Sequence, residues 1–180
     1  MSRVRVTGGE WRSRLIKVID AQGLRPTPDR VRETLFNWLG QDLTGLACLD
    51  LFAGSGILGF EAASRGAASV VLVEHDPKVA AALRQNVDAF ADQRLELVRA
   101  DALEFAASAA RQGRRFDLAF LDPPYRRQWL ERAWPLLPAL MAPDARLYVE
   151  AEAGIAPPAP WRVAREGHAG QVFYHLLERA

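Results

Sequence analysis

A short apolar run that breaks into a glycine-rich turn constrains this chain more than any other feature. Residues 46–52 are apolar apart from Asp50, so they read as a buried strand. Gly54-Ser55-Gly56 follows as a turn, and residues 57–65 read as a helix stopped by Gly66. Strand, turn and helix N-terminus together let a ligand approach bare backbone. The spacing Asp50-x-Phe52-x-Gly54-x-Gly56-x-x-Gly59 fits the general dinucleotide fingerprint. Taken alone, that fingerprint leaves open which nucleotide binds, and also a tight turn that binds none.

The remaining pattern alternates strands and helices. Strands are expected over 69–74, 95–99 and 116–121, with a fifth starting at Leu147-Tyr148-Val149. The helix ending before Gly40 is expected to take Thr27 as N-cap and Pro28 as first residue, with Val31, Leu35, Trp38 and Leu39 as its apolar stripe. Further helices are expected over 77–90, capped by Asp76, over 102–111, and over 129–140, kinked or shortened by Pro135 and Pro138. Residues 161–165 and 171–177 look like a closing hairpin, and residues 3–19 like an opening one. The expected fold class is therefore α/β: a mostly parallel twisted sheet with helices on both faces, a C-terminal antiparallel hairpin and a short N-terminal β-hairpin arm. Residues 1–22 form the arm and residues 23–180 a single globular domain.

Composition narrows the classes. At 180 residues with 49% apolar content, the chain suffices for one well-packed domain. It carries no apolar run of membrane-spanning length and no apolar N-terminal segment, so a cytoplasmic protein is expected, without a membrane partner and as a monomer. The single cysteine, Cys48, falls in the first buried strand and reads as a small core hydrophobe. His75, His168 and His175 have no paired ligand spacing, so no metal is implied. Residues 1–32 hold eight arginines and lysines against three acids, which makes that stretch +5 and leaves −4 on the rest of a +1 chain. A basic segment on a mildly acidic body points to a polyanion at one end, or to a solvated arm. Arg3, Arg5, Arg12, Arg14, Arg25 and Arg30 are the candidate phosphate contacts. Trp11 either stacks on a base or pins the arm to the body.

Four successive strands end in an acid: Asp50, Glu74, Asp101 and Asp122. In an open parallel sheet, ligands bind outside these carboxyl ends. Glu74, twenty residues after Gly54, can accept from both ribose hydroxyls of an adenosine, and its charge argues against a 2′-phosphate. Asp101 can accept from an adenine amine beside the backbone donor of Ala102, or simply cap the next helix. Asp122-Pro123-Pro124-Tyr125 combines an acid, two prolines that fix an extended backbone and turn carbonyls outward, and a flat aromatic face. That set suits a planar group with an exocyclic NH2. The acceptors hold its two hydrogens, so the nitrogen lone pair leaves conjugation and points at an electrophile.

Asp50-x-Phe52-x-Gly54-x-Gly56 with Asp122-Pro123-Pro124-Tyr125 resembles the S-adenosylmethionine-dependent methyltransferases that modify exocyclic or amide nitrogens. Within them, Gly8-Gly9-x-Trp11-Arg12, the stretch from Leu24 to Leu39, and Gly170-Gln171-Val172 resemble the RsmD family, which methylates the N2 amine of a guanine in small-subunit (16S) ribosomal RNA. The resemblance implies a Rossmann-like class I fold with S-adenosylmethionine as cofactor. By it, Gly54 and Gly56 carry the cofactor backbone, with Asp50 and Phe52 in the same motif, Glu74 its ribose, and Asp101 with Ala102 its adenine. Residues Asp122, Pro123, Pro124 and Tyr125 hold the guanine. The implied partner is the small subunit or an assembly intermediate, and His168 and Gln171 are left without a role. The rival readings are a DNA adenine-N6 methyltransferase, for which 180 residues leave no sequence-reading domain, and a catalytically silent RNA-binding assembly factor. A protein-amide methyltransferase would begin its tetrapeptide with Asn, and a dehydrogenase lacks an evident hydride-transfer acid or base.

Overall fold

The computed structural model describes residues 2–21, 24–124 and 128–180. Two antiparallel strands, β1 (Ser2–Arg5) and β2 (Leu15–Val18), form the N-terminal ribbon. The body alternates α1 (Asp29–Leu39), β3 (Ala47–Asp50), α2 (Ile57–Ser64), β4 (Ser69–Glu74), α3 (Pro77–Phe90), β5 (Leu95–Arg99), α4 (Ala102–Arg111) and β6 (Phe116–Leu121). It continues through α5 (Trp129–Ala133), a 3₁₀ turn (Trp134–Leu136), α6 (Leu137–Leu140) and β7 (Met141–Ala151) to the hairpin of β8 (Trp161–Ala169) and β9 (Val172–Arg179). The seven-stranded sheet runs in the order β5-β4-β3-β6-β7-β9-β8. Strands β3 to β7 pair in parallel, and β9 and β8 complete the edge antiparallel. Among the described residues, no helix is long and apolar enough to cross a membrane.

Strand alternation sends side chains to two core layers. Cys48, Phe120, Tyr148 and Leu176 face one layer, built with α1, α2, α3 and the ribbon. Leu49, Leu121, Val149 and Leu177 face the other, built with α4, α5 and α6. Burial inside β3 pushes the Cys48 thiol up to about 12, so it behaves as a core group and not a nucleophile.

Several elements differ from expectation. Thr27 does not cap α1: the helix begins at Asp29 with Pro28 in the cap position, and the Thr27 hydroxyl donates to Glu150 instead. Residues 129–140 split into α5, a 3₁₀ turn and α6, because Pro135 and Pro138 each remove a helical donor. Strand β7 starts six residues before Leu147, at Met141, where polar and apolar positions mask its periodicity.

The ribbon is fastened to the body by packing. Val6, Ile16 and Val18 are buried, and Trp11, 6% exposed, lies 4.8 Å from the Phe90 ring and 6.5 Å from that of Phe60. Trp11 N–H donates to Ser64 Oγ at 2.8 Å, and Asn86 on α3 bonds both N–H and C=O of Lys17. Trp11 is therefore a pin, and its ring is not available to stack on a base. Removing it by Trp11→Ala leaves a cavity, and we expect a loss of about 3 kcal/mol in urea unfolding. A loss below about 1 kcal/mol would show that the ribbon is not part of the cooperative core.

Candidate active site

Strand β3 is where the sheet changes direction. The chain leaves it for β4 and β5 on one side, then returns to β6 and β7 on the other. The helices after β3 and β6 consequently diverge to opposite faces, and a crevice opens at the carboxyl ends of these two strands. Two of the expected sequence features border it: the glycine turn follows β3, and Asp122-Pro123 follows β6.

The turn is built by backbone conformations that glycine adopts without strain. Gly54 has φ +56° and Gly56, at the N-terminus of α2, has φ +83°. A Cβ on Gly56 would stand 2.5 Å from Leu83 Cδ1, and one on Gly59 would collide with Leu72 Cδ2, so α2 packs closely on β4. Asp50 supports this arrangement from behind. It is 3% exposed, and its Oδ2 accepts from Gly59 N–H at 3.2 Å, so it braces the start of α2 from within the core. Burial holds the Asp50 carboxyl well above the usual carboxylate range. The Gly59 N–H opposes that rise, and the charges of Asp122, Glu74 and Glu150 add to it.

Glu74 closes the β4 end of the crevice. Its Oε1 accepts from Gly54 N–H at 2.8 Å and its Oε2 from Asp76 N–H at 2.9 Å, which fixes the carboxylate beside the turn. Asp101, on the next strand end, caps α4 through Oδ1, which accepts from Leu103 and Glu104 N–H at 2.9 and 3.0 Å. Its second oxygen is not engaged in the cap. Ala102 opens α4 and is buried. Phe52, half-buried, meets the Trp129 ring edge-on at 5.8 Å on the other wall. Pro123 is buried, Pro124 is exposed and Asp122 is half-buried; Tyr125 lies outside the described residues.

A fifth acid completes the series. Glu150 is the penultimate residue of β7, one short of its end at Ala151, and it was missed because only Leu147-Tyr148-Val149 was read as that strand's start. Leu121 pairs with Val149 in parallel, so Asp122 and Glu150 are next neighbours across β6 and β7. Glu150 is 3% exposed and accepts from Tyr148 OH and Thr27 Oγ1. Burial, with the Glu150 charge beside it, pushes the Tyr148 phenol well above its ordinary value. The signal was present as an apolar run ending in an acid, the same pattern as the other four. Leu24 was also missed: its Cδ1 lies 2.9 Å from where a Cβ on Gly54 would stand.

The basic candidates are spread along the ribbon and α1. Arg25 and Arg30 are exposed near the crevice end, as are Arg3 and Arg5, and Arg5 pairs with Asp29 at 3.0 Å. Arg12 and Arg14 fall at the ribbon tip, against the C-terminal ends of α2 and α3 and thus away from the crevice. Arg14 stacks on Phe90 at 3.8 Å. His168 is exposed in contact with Phe173 at 5.5 Å, and Gln171 is exposed in the β8–β9 turn, on the same sheet edge as the crevice. Among the described residues, no group of three or more His, Cys, Asp or Glu side chains could hold a metal ion.

Glu74, Asp101 and Asp122, half-buried at this end of the sheet, would repel a pyrophosphate, but they suit an adenosine that carries a positive centre. Glu74 fits the ribose, the free side of Asp101 fits an adenine amine, and the α2 N-terminus fits an amino-acid carboxylate. The residues present therefore fit S-adenosylmethionine better than a dinucleotide.

The raised Asp50 carboxyl gives a pH signature. The folded protein holds that proton more tightly than the unfolded chain, so this contribution to stability is present in acid and is lost as pH rises through the folded value. Asp50→Asn removes the loss, and in urea unfolding the variant should gain on the wild type as pH rises above about 4. Parallel stability curves would contradict this account of Asp50.

Over residues 4–178 the chain matches the family described as Conserved hypothetical protein 95. It is 44% identical over 182 residues to Ribosomal RNA small subunit methyltransferase D of Escherichia coli, covering 98% of this chain and 90% of that protein. The Haemophilus influenzae protein of the same name is 40% identical, with 97% and 93% covered. Among solved structures, yhhF from Escherichia coli superposes with a TM-score of 0.88 at 41% identity, covering 99% of this chain and 98% of the other. An RNA methyltransferase from Salinibacter ruber, in complex with S-adenosyl-L-homocysteine, has a TM-score of 0.65 over 84% of this chain and 92% of its own, and at 19% identity it shares the fold. On a match of this length and identity, with the glycine turn, the acid series and the β6 end in one crevice, the chain belongs to the RsmD family.

Proposed function

We propose that this protein transfers the methyl group of S-adenosylmethionine to the exocyclic N2 amine of a guanine in small-subunit ribosomal RNA, acting as a monomer in the cytoplasm on the subunit or an assembly intermediate. The observation that carries the reading is the meeting of two half-sites at one switch point: Gly54 and Glu74 on the β3–β4 side, Asp122-Pro123 on the β6 side. The ribosomal substrate is supported by the relatives' names, and the guanine by the family resemblance.

When bound, the cofactor supplies an electrophilic methyl group on a sulfonium. Glu74 would hold its ribose, Asp101 and Ala102 its adenine, and the turn at Gly54 and Gly56 its amino-acid end. On the acceptor side, the Asp122 carboxylate and the Pro123 carbonyl take the amine's two N–H bonds and hold its lone pair toward the donor side. By the family resemblance, Pro124 and Tyr125 would complete the guanine's seat. No strong base is needed before attack, because the amine sheds its proton only after becoming cationic, and Asp122 is the adjacent acceptor. Rate enhancement then comes mainly from holding the amine about 3 Å from the methyl carbon. A paired guanine must first be flipped out, which costs a few kcal/mol, whereas an unpaired one avoids most of that. Arg3, Arg5, Arg25 and Arg30 would contact phosphates near the crevice, and Arg12 and Arg14 phosphates farther along the ribbon.

The test incubates the protein and tritiated S-adenosylmethionine with small subunits, naked 16S ribosomal RNA and DNA, followed by digestion to nucleosides. Label in N2-methylguanosine is expected, and label confined to N6-methyladenine from DNA would overturn the reading. In the same assay Asp122→Ala should lower kcat by about 100-fold or more while donor binding, read by calorimetry, is largely kept. Loss of donor binding would place Asp122 on the wrong side of the crevice.

A further inference from the structure

Residues 24–27 connect the ribbon to α1 and reach the glycine turn, where the Leu24 side chain packs against Gly54. The connector is not packed on all sides. Beside it runs an open surface groove lined by Ser2, Val18, Ile19, Asp20, Leu24 and Pro26. A segment with one side toward solvent has fewer packing neighbours there, so directional bonds do more to hold it in one place. Thr27 provides them at two atoms. Its carbonyl accepts from Arg32 Nε at 2.9 Å, and its Oγ1 donates to Glu150 Oε2 at 2.8 Å. The same Glu150 oxygen accepts from Tyr148 OH at 2.9 Å, and Arg32 Nη1 pairs with Glu61 of α2 at 2.6 Å.

Glu61, Arg32, Thr27, Glu150 and Tyr148 thus form one unbroken buried chain, none more than 5% exposed. Its two ends matter for the crevice. Glu61 belongs to the helix that the glycine turn starts, and Glu150 stands beside Asp122, with neighbouring strands about 4.8 Å apart. Hydrogen bonds to an ionised partner are stronger than those between neutral groups, and Thr27 makes two of them, one from the Arg32 guanidinium and one to Glu150. Hydrophobic packing would bury the connector equally well, but it would not fix Leu24 on Gly54 and the β7 end beside Asp122 at the same time.

We propose that Glu150 is a positioning residue for methyl transfer: by accepting from Thr27 and Tyr148 at one carboxylate oxygen, it locks the 24–27 connector against the glycine turn and stiffens the wall beside Asp122. It touches neither donor nor acceptor and acts through Leu24 on one side and the β6 end on the other. The proposal rests on the reading that this crevice binds S-adenosylmethionine and presents the amine at Asp122.

The test uses the full chain, calorimetric titration with S-adenosylmethionine, steady-state methylation of the ribosomal substrate and melting temperatures, for wild type, Thr27→Val, Glu150→Ala and Glu150→Gln. Thr27→Val keeps volume and removes one hydrogen bond, and donor affinity should fall about fivefold. Glu150→Ala releases both hydroxyls, so affinity should fall further and kcat at saturating donor should drop as well. Glu150→Gln keeps a side-chain oxygen that accepts both hydroxyls, and affinity should return to within about twofold of wild type. Thr27→Val and Glu150→Gln decide the matter if Glu150→Ala does not fold. A merely structural role predicts lower melting temperatures with unchanged donor affinity and kcat in the folded fraction, and that result overturns the proposal alone. A wild-type protein that binds no donor overturns the reading of the site and the proposal with it.

Discussion

Everything functional here depends on one constraint of topology: β3 is flanked by β4 on one side and β6 on the other, so the connections leaving the adjacent strands β3 and β6 depart from the same level of the sheet to opposite faces. The gap between them is unavoidable, and it opens where strand ends deliver acids and helix N-termini deliver unsatisfied N–H groups. Asp50, Glu74 and Asp101 fall on the β3–β4–β5 side of that gap or behind it, and Asp122 and Glu150 on the β6–β7 side. A single crevice can then hold a positively charged donor and an amine without further domains.

The second organising contact is the buried Arg32–Glu61 pair. Arg32 also bonds the carbonyls of Arg5 and Thr27 and pairs with Asp29, while Glu61 accepts from Thr7 N–H and Oγ1 and from Arg65 Nε. Ribbon, connector, α1 and α2 therefore meet at two side chains with no exposure. Such a pair adds less stability than its Coulomb energy suggests, because both charges lost their water. Its value is directional: the bonds fix how the basic ribbon and the helix after the glycine turn sit relative to each other.

Much of this was legible in the sequence where a local rule governed. The β4 and β5 boundaries followed from β-branched and apolar runs, Asp76 as the α3 cap from the Asp-Pro pair, and the turn at Gly54 and Gly56 from spacing alone. What escaped was decided by contacts distant in sequence. Thr27 looks like a helix cap because the residues after it favour a helix, yet its hydroxyl answers to Glu150, 123 residues away. Trp11 could read as a base-stacking ring until Phe60 and Phe90 were seen to enclose it. Glu150 was hidden because β7 extends past its apolar core in both directions, so the acid lies inside the strand and not after it.

The most direct test of the central claim, that donor and acceptor meet between β3 and β6, is a crystal structure of the protein with S-adenosylhomocysteine. The account predicts the ribose on Glu74, the adenine beside Asp101 and Ala102, and the thioether sulfur facing the Asp122-Pro123 end of β6. A ligand seated elsewhere, or one whose sulfur faces away from Asp122, would contradict it.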